Sequence, residues 1–174
     1  MRFPVLLALL AFAACDRGGG TVVALLDYRA VVPAGFEARP ATSSMRLAEY
    51  TVPEVDGATA EVIVFYFGPG QGGSAEANIA RWSAQFRGAD GGPVAPRVTT
   101  LEGASFPTTL AEYEGSYARG VGMGPGRSAA EPGQALSAAV VETALGNLFL
   151  QLVGDQAAVA AAREDFLAMV ASIS

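Results

Sequence analysis

Two nearly continuous apolar runs constrain the fold more than any other feature of this sequence. Residues 60–67 read AEVIVFYF and residues 147–153 read NLFLQLV, and both runs are rich in β-branched and aromatic side chains. A strand that is apolar on both faces belongs in the middle of a sheet that is covered on both sides. The chain therefore requires a central sheet with other elements packed on each face.

Two amphipathic segments predict the helices that supply this cover. The first helix follows the predicted N-cap Ser74, and the second follows Asp155, which we expect to cap it in the same way. The apolar stripe of the first helix comprises Ala75, Ile79, Trp82 and Phe86. The stripe of the second comprises Val159, Ala162, Phe166, Met169 or Val170, and Ile173. One helix is expected on each face of the sheet.

The remaining segments predict a largely antiparallel sheet. Residues 45–52 alternate in polarity and lead through the turn residues 54–57 into the run at 60–67, and a second hairpin turns at Leu145-Gly146. The strand–helix–strand segment of residues 60–101 is the expected single crossover. The predicted fold class is α+β, with one α/β/α sandwich over residues 27–174 and a sheet of about six to seven strands.

The composition excludes several kinds of chemistry. All eleven cationic residues of the 174-residue chain are arginines, and the chain has no histidine and one cysteine. Histidine relays, Schiff bases on lysine and zinc sites built from Cys and His are therefore excluded. The formal net charge of −6 argues against a nucleic-acid partner, because phosphate binding needs a clustered basic surface. We expect neither an enzyme nor a resident cofactor or metal.

The N-terminal segment predicts a lipoprotein signal. Met1-Arg2 precedes an apolar run at residues 5–14, which is too short to span a membrane. Small residues end this run directly before Cys15, and the arrangement resembles the lipobox of bacterial lipoproteins. The resemblance implies cleavage after residue 14 and acylation of Cys15; the alternative is an ordinary secretory signal with a free thiol. Residues 15–26 are then expected to tether the domain to the inner or the outer membrane, facing the periplasm.

A glycine-rich loop between the first apolar run and the first helix is a candidate ligand loop. Residues 68–73 read GPGQGG and fit the spacing of dinucleotide-binding loops, with Gly70, Gly72, Gly73 and Ser74 as candidate contacts. Its proline and the single strand–helix unit in the chain count against a dinucleotide. The alternatives are an anion at the helix N-terminus and a plain strand-to-helix turn. A second glycine-rich loop, at residues 120–134, is expected to complete the mouth of such a site.

The first helix also carries a candidate partner-binding face. Asn78, Arg81, Trp82 and Gln85 form the densest group of polar and aromatic side chains on one short segment. Tryptophan and arginine are favoured anchors of protein interfaces. The alternative interpretation places Trp82 in the core and pairs Arg81 with an acid. Two carboxylate pairs, Glu112 with Glu114 and Glu164 with Asp165, are interpreted as solvated faces rather than acid–base pairs.

The order of these segments resembles the PsbP-like α/β/α sandwich. The resemblance rests on FYFG at residues 65–68, NIARW at 78–82, the closing hairpin, and a terminal helix with AREDF at 162–166 and MVASI at 169–173. It is similar in particular to the uncharacterised lipoproteins of myxobacteria and planctomycetes. The resemblance implies a non-catalytic accessory protein that binds an envelope partner. A small-ligand or anion-binding domain is the alternative.

Overall fold

The computed structural model describes residues 19–118 and 130–174 of the chain, and these residues form an α+β fold. They contain two helices, one large antiparallel sheet and a small hairpin. The helices are α1 (Ala75–Ser83) and α2 (Gln156–Ala171). The strands are β1 (Thr21–Leu25), β2 (Tyr28–Val32), β3 (Glu37–Arg39), β4 (Arg46–Thr51), β5 (Ala60–Tyr66), β6 (Phe86–Arg87), β7 (Arg97–Thr100), β8 (Thr108–Tyr117), β9 (Glu131–Thr143) and β10 (Gly146–Asp155).

The large sheet has eight strands within the described residues, one or two more than the sequence predicts. Its order is β3-β4-β5-β10-β9-β8-β6, and β7 also pairs with β8. The two apolar runs form β5 and β10, which are neighbours in the middle of the sheet. The additional strand arises at the β8 edge, where the two-residue β6 and the four-residue β7 pair with different parts of the ten-residue β8.

Alternating residues of the central strands pack into two separate cores. On one face, Val62, Val64 and Leu150 pack with the buried stripe of α2, which includes Phe166. On the other face, Ile63 and Phe149 belong to the cluster that contains Trp82 of α1. The period-two alternation of a strand thus places each helix against its own set of side chains. This arrangement explains why both central strands are apolar on nearly every position of both faces.

The N-terminal hairpin begins inside the segment that the sequence analysis interprets as a tether. Thr21–Leu25 is strand β1, so the folded region starts before residue 27. The hairpin packs beside α2, and the backbone groups of Arg29 exchange two hydrogen bonds with Ser174 at 3.0 and 3.1 Å. The prediction missed β1 because residues 21–26, TVVALL, do not alternate in polarity.

The two predicted helix caps behave differently in the structure. The Ser74 hydroxyl accepts a hydrogen bond from the Ala77 amide at 3.3 Å, which confirms it as the cap of α1. Asp155 occupies the N-cap position of α2, but its side chain makes no capping hydrogen bond. Its carboxylate instead accepts bonds from the Thr59 amide at 2.8 Å and the Gln134 side chain at 2.7 Å. The predicted capping role of Asp155 is therefore wrong, because long-range partners hold this carboxylate.

Candidate functional site beside the first helix

A groove of about 440 Å³ lies beside α1, on the sheet face that this short helix covers only in part. We call it the α1 groove. Its aromatic lining residues are Phe65, Phe67, Trp82, Tyr117 and Phe149. Its polar lining residues are Arg46, Arg81, Gln85 and Gln151. The volume lies within the range of small-ligand pockets, which are also mostly apolar with a few polar groups.

The lining of the α1 groove contains two arginines and no acid, although the chain as a whole is acidic. The guanidinium of Arg46 lies 5.5 Å from the ring centre of Phe65 and 3.2 Å from the carboxylate of Glu49. Arg81 donates a hydrogen bond to the neutral side chain of Asn78. Within the described residues, no carboxylate pairs with Arg81. A positive charge therefore stands next to an aromatic wall without a counter-charge from the described chain.

Asn78 orients the helix and its arginine rather than facing solvent. The residue is 1% exposed, and its amide nitrogen donates to the Gly72 and Ser74 carbonyls at 2.8 and 2.9 Å. Its carbonyl oxygen accepts the bond from Arg81. Its polar atoms thus bind the glycine loop and the arginine from within the protein, so Asn78 holds Arg81 in place.

Trp82 belongs to the core and also lines the groove. It is 2% exposed and packs in the cluster under α1, which agrees with the core interpretation of this residue. The paired acid that this interpretation expects for Arg81 does not occur among the described residues. Gln85 is half-buried and lines the groove one turn beyond Arg81. The structure brings Arg81, Trp82 and Gln85 together at the groove, with Asn78 behind them.

The glycine loop supports the aromatic wall of the groove. Gly72 has a φ of +86°, and a Cβ atom there would lie 2.6 Å from Phe149 Cε2 and 2.8 Å from Phe67 Cδ2. The neighbouring Gly73 carbonyl accepts a bond from the Asn147 side chain at 3.2 Å. Close packing against two rings explains why glycine is needed at this position.

The N-terminus of α1 already has an acid beside it. Glu76 lies in the first helical turn. The Ser74 hydroxyl and the Glu76 backbone amide lower the pKa of the Glu76 carboxylate, because both stabilise its charged form. All strand pairs in the described ranges are antiparallel, so the parallel strands around a dinucleotide loop are not found there. The other predicted ligand loop, at residues 120–134, falls largely outside the described residues, and residues 131–134 belong to β9.

A second groove, of about 350 Å³, lies between α2 and the β8–β9 strands and contains the carboxylate Glu112. Arg163 of α2 binds Glu112 at 2.5 and 3.2 Å, and Arg97 forms a further ion pair with it. Burial raises the pKa of Glu112, but the hydrogen bonds and charges of Arg163 and Arg97 outweigh burial and hold it below its usual value. The interpretation of Glu112 as a solvated side chain is wrong: it joins α2 to the sheet.

The sequence pattern does not identify the residues that complete the α1 groove. Arg46 starts β4, whereas Phe65, Phe67 and Phe149 belong to the apolar runs that predicted central strands. A strand pattern shows that such residues are buried on a sheet face, but not that a nine-residue helix leaves part of the face uncovered. The predicted helical stripe also extends to Phe86, which lies in β6 and not in α1, so the sequence overestimates how much of the face the helix covers.

Comparison with known proteins gives no further assignment: no protein-family model and no curated protein matches this chain. No helix in the described part of the chain is long and apolar enough to cross a bilayer. Residues 19–118 and 130–174 contain no group of three or more acidic or cysteine side chains placed to hold a metal ion. Cys15 lies outside the described residues.

Proposed function

We propose that this protein is a membrane-tethered, non-catalytic accessory lipoprotein of the bacterial cell envelope that binds a partner through the α1 groove. The small residues before Cys15 support the tether. The two-sided packing of the sheet supports a PsbP-like α/β/α sandwich with one helix on each face. The observation that carries the binding role is the aromatic groove with Arg81 at its side and no acid in its lining.

The chemistry of the α1 groove favours a partner segment that combines apolar side chains with a carboxylate. Aromatic walls bury apolar groups and provide most of the free energy of such contacts. Arg81 offers a guanidinium that can take a carboxylate with two parallel hydrogen bonds, and Asn78 restricts its movement. A cationic or strongly basic segment would bring like charges together beside Arg81, whereas the charge of Arg46 is already paired with Glu49.

Trp82 gives a direct test, because it is the only tryptophan of the chain and lines the groove. We would titrate the protein with short peptides that pair Phe or Leu with Glu, and with the same peptides carrying Gln. The Glu peptides should change the Trp82 emission at lower concentrations than the Gln peptides. Arg81→Gln should remove this preference, whereas Arg87→Gln, on the same segment but outside the groove lining, should retain it. An equal response to both peptide series would contradict the proposal.

The groove volume also supports the second candidate, a small-ligand or anion-binding domain. In this second candidate the glycine loops at 68–73 and 120–134 would form the mouth of the site; the first loop packs against Phe67 and Phe149 of the groove through Gly72 but does not itself line the groove. A ligand that binds only the folded protein raises its melting temperature by mass action. Thermal unfolding with nucleotides, inorganic anions and Ca²⁺ therefore separates the two functions, because the partner-binding protein should show no shift with any of them.

A further inference from the structure

The outer face of the β1–β2 hairpin is apolar and exposed. Residues of its inner face, Leu25, Ala30 and Val32, are buried in the core beside α2. On the opposite face, Val22 is 63% exposed and Val31 is 41% exposed. These two valines are direct partners in the strand register, so their side chains form one surface with each other.

Two further residues extend this surface, which we call the hairpin face. Ala24 and Arg29 form the next register pair on the same side and are both exposed. Leu26 stands in the turn and is 36% exposed. Asp27 is the one acidic residue of the turn. The hairpin face thus consists of apolar side chains with one cation, next to a turn that holds an anion.

The hairpin is firmly attached to the rest of the domain. Arg29 exchanges backbone hydrogen bonds with Ser174, and the Val31 amide donates to the Ser172 hydroxyl at 2.8 Å. Ser172 directly follows α2 and Ser174 lies two residues after Ser172, and the buried stripe of α2 packs on the sheet. The hairpin face is therefore presented in a fixed orientation relative to the domain.

The position of Cys15 identifies what can cover the hairpin face. Thr21, the first residue of β1, is six positions after Cys15. Even a fully extended chain of that length spans only about 20 Å, at most about 3.6 Å per residue. An acylated Cys15 would therefore keep the start of the hairpin within about this distance of the bilayer surface.

We propose that the hairpin face lies on the membrane surface to which the lipidated protein is tethered. This inference rests on the proposed function, since it needs the acyl chains on Cys15. Val22, Val31 and Leu26 would enter the interface between headgroups and acyl chains, and Arg29 would contact anionic headgroups. Two valines and a leucine bind a bilayer weakly by themselves, but the tether makes the contact intramolecular and raises the effective concentration of the surface.

The experiment places an environment-sensitive fluorophore on a single introduced cysteine of the lipidated, full-length protein. Cys15 is the only native cysteine and is blocked when acylated, so Val22→Cys provides one reactive thiol. The matched control is Val98→Cys on β7, which is 48% exposed and belongs to the large sheet rather than to the hairpin. Both proteins are reconstituted in vesicles of phosphatidylethanolamine and phosphatidylglycerol that contain a lipid with a nitroxide near the headgroup.

We expect a blue-shifted emission and several-fold stronger quenching by the nitroxide lipid at position 22 than at position 98. Val31→Asp should abolish the difference while the intact mass still shows the lipid. A lipidated protein with equal, weak quenching at both positions overturns the hairpin contact alone. A blue shift at position 22 without lipid quenching also overturns it, and indicates a second copy on this face. An intact mass without acyl chains overturns both the tether and the hairpin contact.

Discussion

Gly72 shows how one residue shapes the α1 groove. Its positive φ turns the chain after β5, and its lack of a side chain lets the rings of Phe67 and Phe149 approach the backbone. Gly70, two positions earlier, also has a positive φ, of +67°, but no atom lies within 4 Å of its Cβ position. The two glycines therefore share a backbone requirement and differ in packing.

This difference predicts unequal effects of alanine at the two glycines. Gly70→Ala should reduce the free energy of unfolding by about 1–2 kcal/mol, the cost of an alanine in a left-handed conformation. Gly72→Ala should cost about 1–3 kcal/mol more, because the methyl group overlaps two aromatic rings. Urea unfolding measures both values. Equal losses would show that the rings are not packed against residue 72.

Glu49 is a buried carboxylate that the sequence pattern does not distinguish from a solvated one. It is 1% exposed and accepts hydrogen bonds from the Thr42 amide and hydroxyl at 2.6 and 2.8 Å. Burial raises the pKa of Glu49, but the Thr42 bonds and the charge of Arg46 outweigh it, so its pKa lies below the usual value of 4.5. The native state therefore binds this proton less readily than the unfolded chain.

The lowered pKa of Glu49 predicts a loss of stability in acid. Its contribution is complete above the unfolded pKa and disappears as the pH falls through the lower native pKa. Glu49→Gln should reduce the free energy of unfolding at neutral pH by about 1–3 kcal/mol. The difference in free energy of unfolding between the native protein and the variant should disappear as the pH is lowered below 4.5. The exposed Glu54→Gln is the control, and a gap that stays constant with pH would contradict this role of Glu49.

The helix α2 packs on the sheet through the face that its sequence makes apolar. Its stripe of Val159, Ala162, Phe166, Met169 and Val170 is buried, as its sequence spacing predicts. Helical and strand periodicity determine which face of an element is apolar, so the helices, the central strands and their turns follow from the sequence. Where an element ends depends on long-range contacts: Phe86 leaves the predicted helix because it stacks on Tyr113 and Tyr117.

Neighbouring residues of α2 provide a test of this packing. Phe166→Ala should lower the free energy of unfolding by about 3–5 kcal/mol, since a fully buried aromatic ring is lost from the core. Leu167→Ala should cost clearly less, because Leu167 is only partly buried at the edge of the same cluster. Urea unfolding midpoints compare the two variants. Similar losses would mean that α2 does not pack in the orientation described.

For the molecule as a whole, the sequence predicts the layers but not the functional surface. The α1 groove forms because residues from β4, β5, β10 and α1 meet where the nine-residue helix ends, and no local pattern contains that information. The side-chain types of Arg81 and Trp82 identify them in the sequence as candidate binding residues. Arg46 and Phe67 are recognised as groove residues only once the sheet is assembled. The tether, by contrast, is inferred from a contiguous sequence motif around Cys15 and not from residues that the fold brings together.

Lipidation at Cys15 would determine where the protein resides. Cys15→Ser should release the protein from membranes or leave its signal uncleaved, because the substitution removes the acylated thiol. Membrane fractionation and intact mass measure the two effects, and Gly19→Ser serves as a nearby control that retains the cysteine. A Cys15→Ser protein that is still processed and still fractionates with membranes would contradict lipidation.

Site-specific photo-crosslinking in intact cells tests most directly whether the α1 groove binds an envelope partner. A photo-reactive amino acid is placed at Gln85 in the groove and, as a control, at the exposed Glu54. Amine-directed reagents are unsuitable because the chain contains no lysine. We expect one dominant crosslinked protein at Gln85 that disappears with Arg81→Gln and is absent at Glu54. The same products at both positions, or none at Gln85, would contradict it.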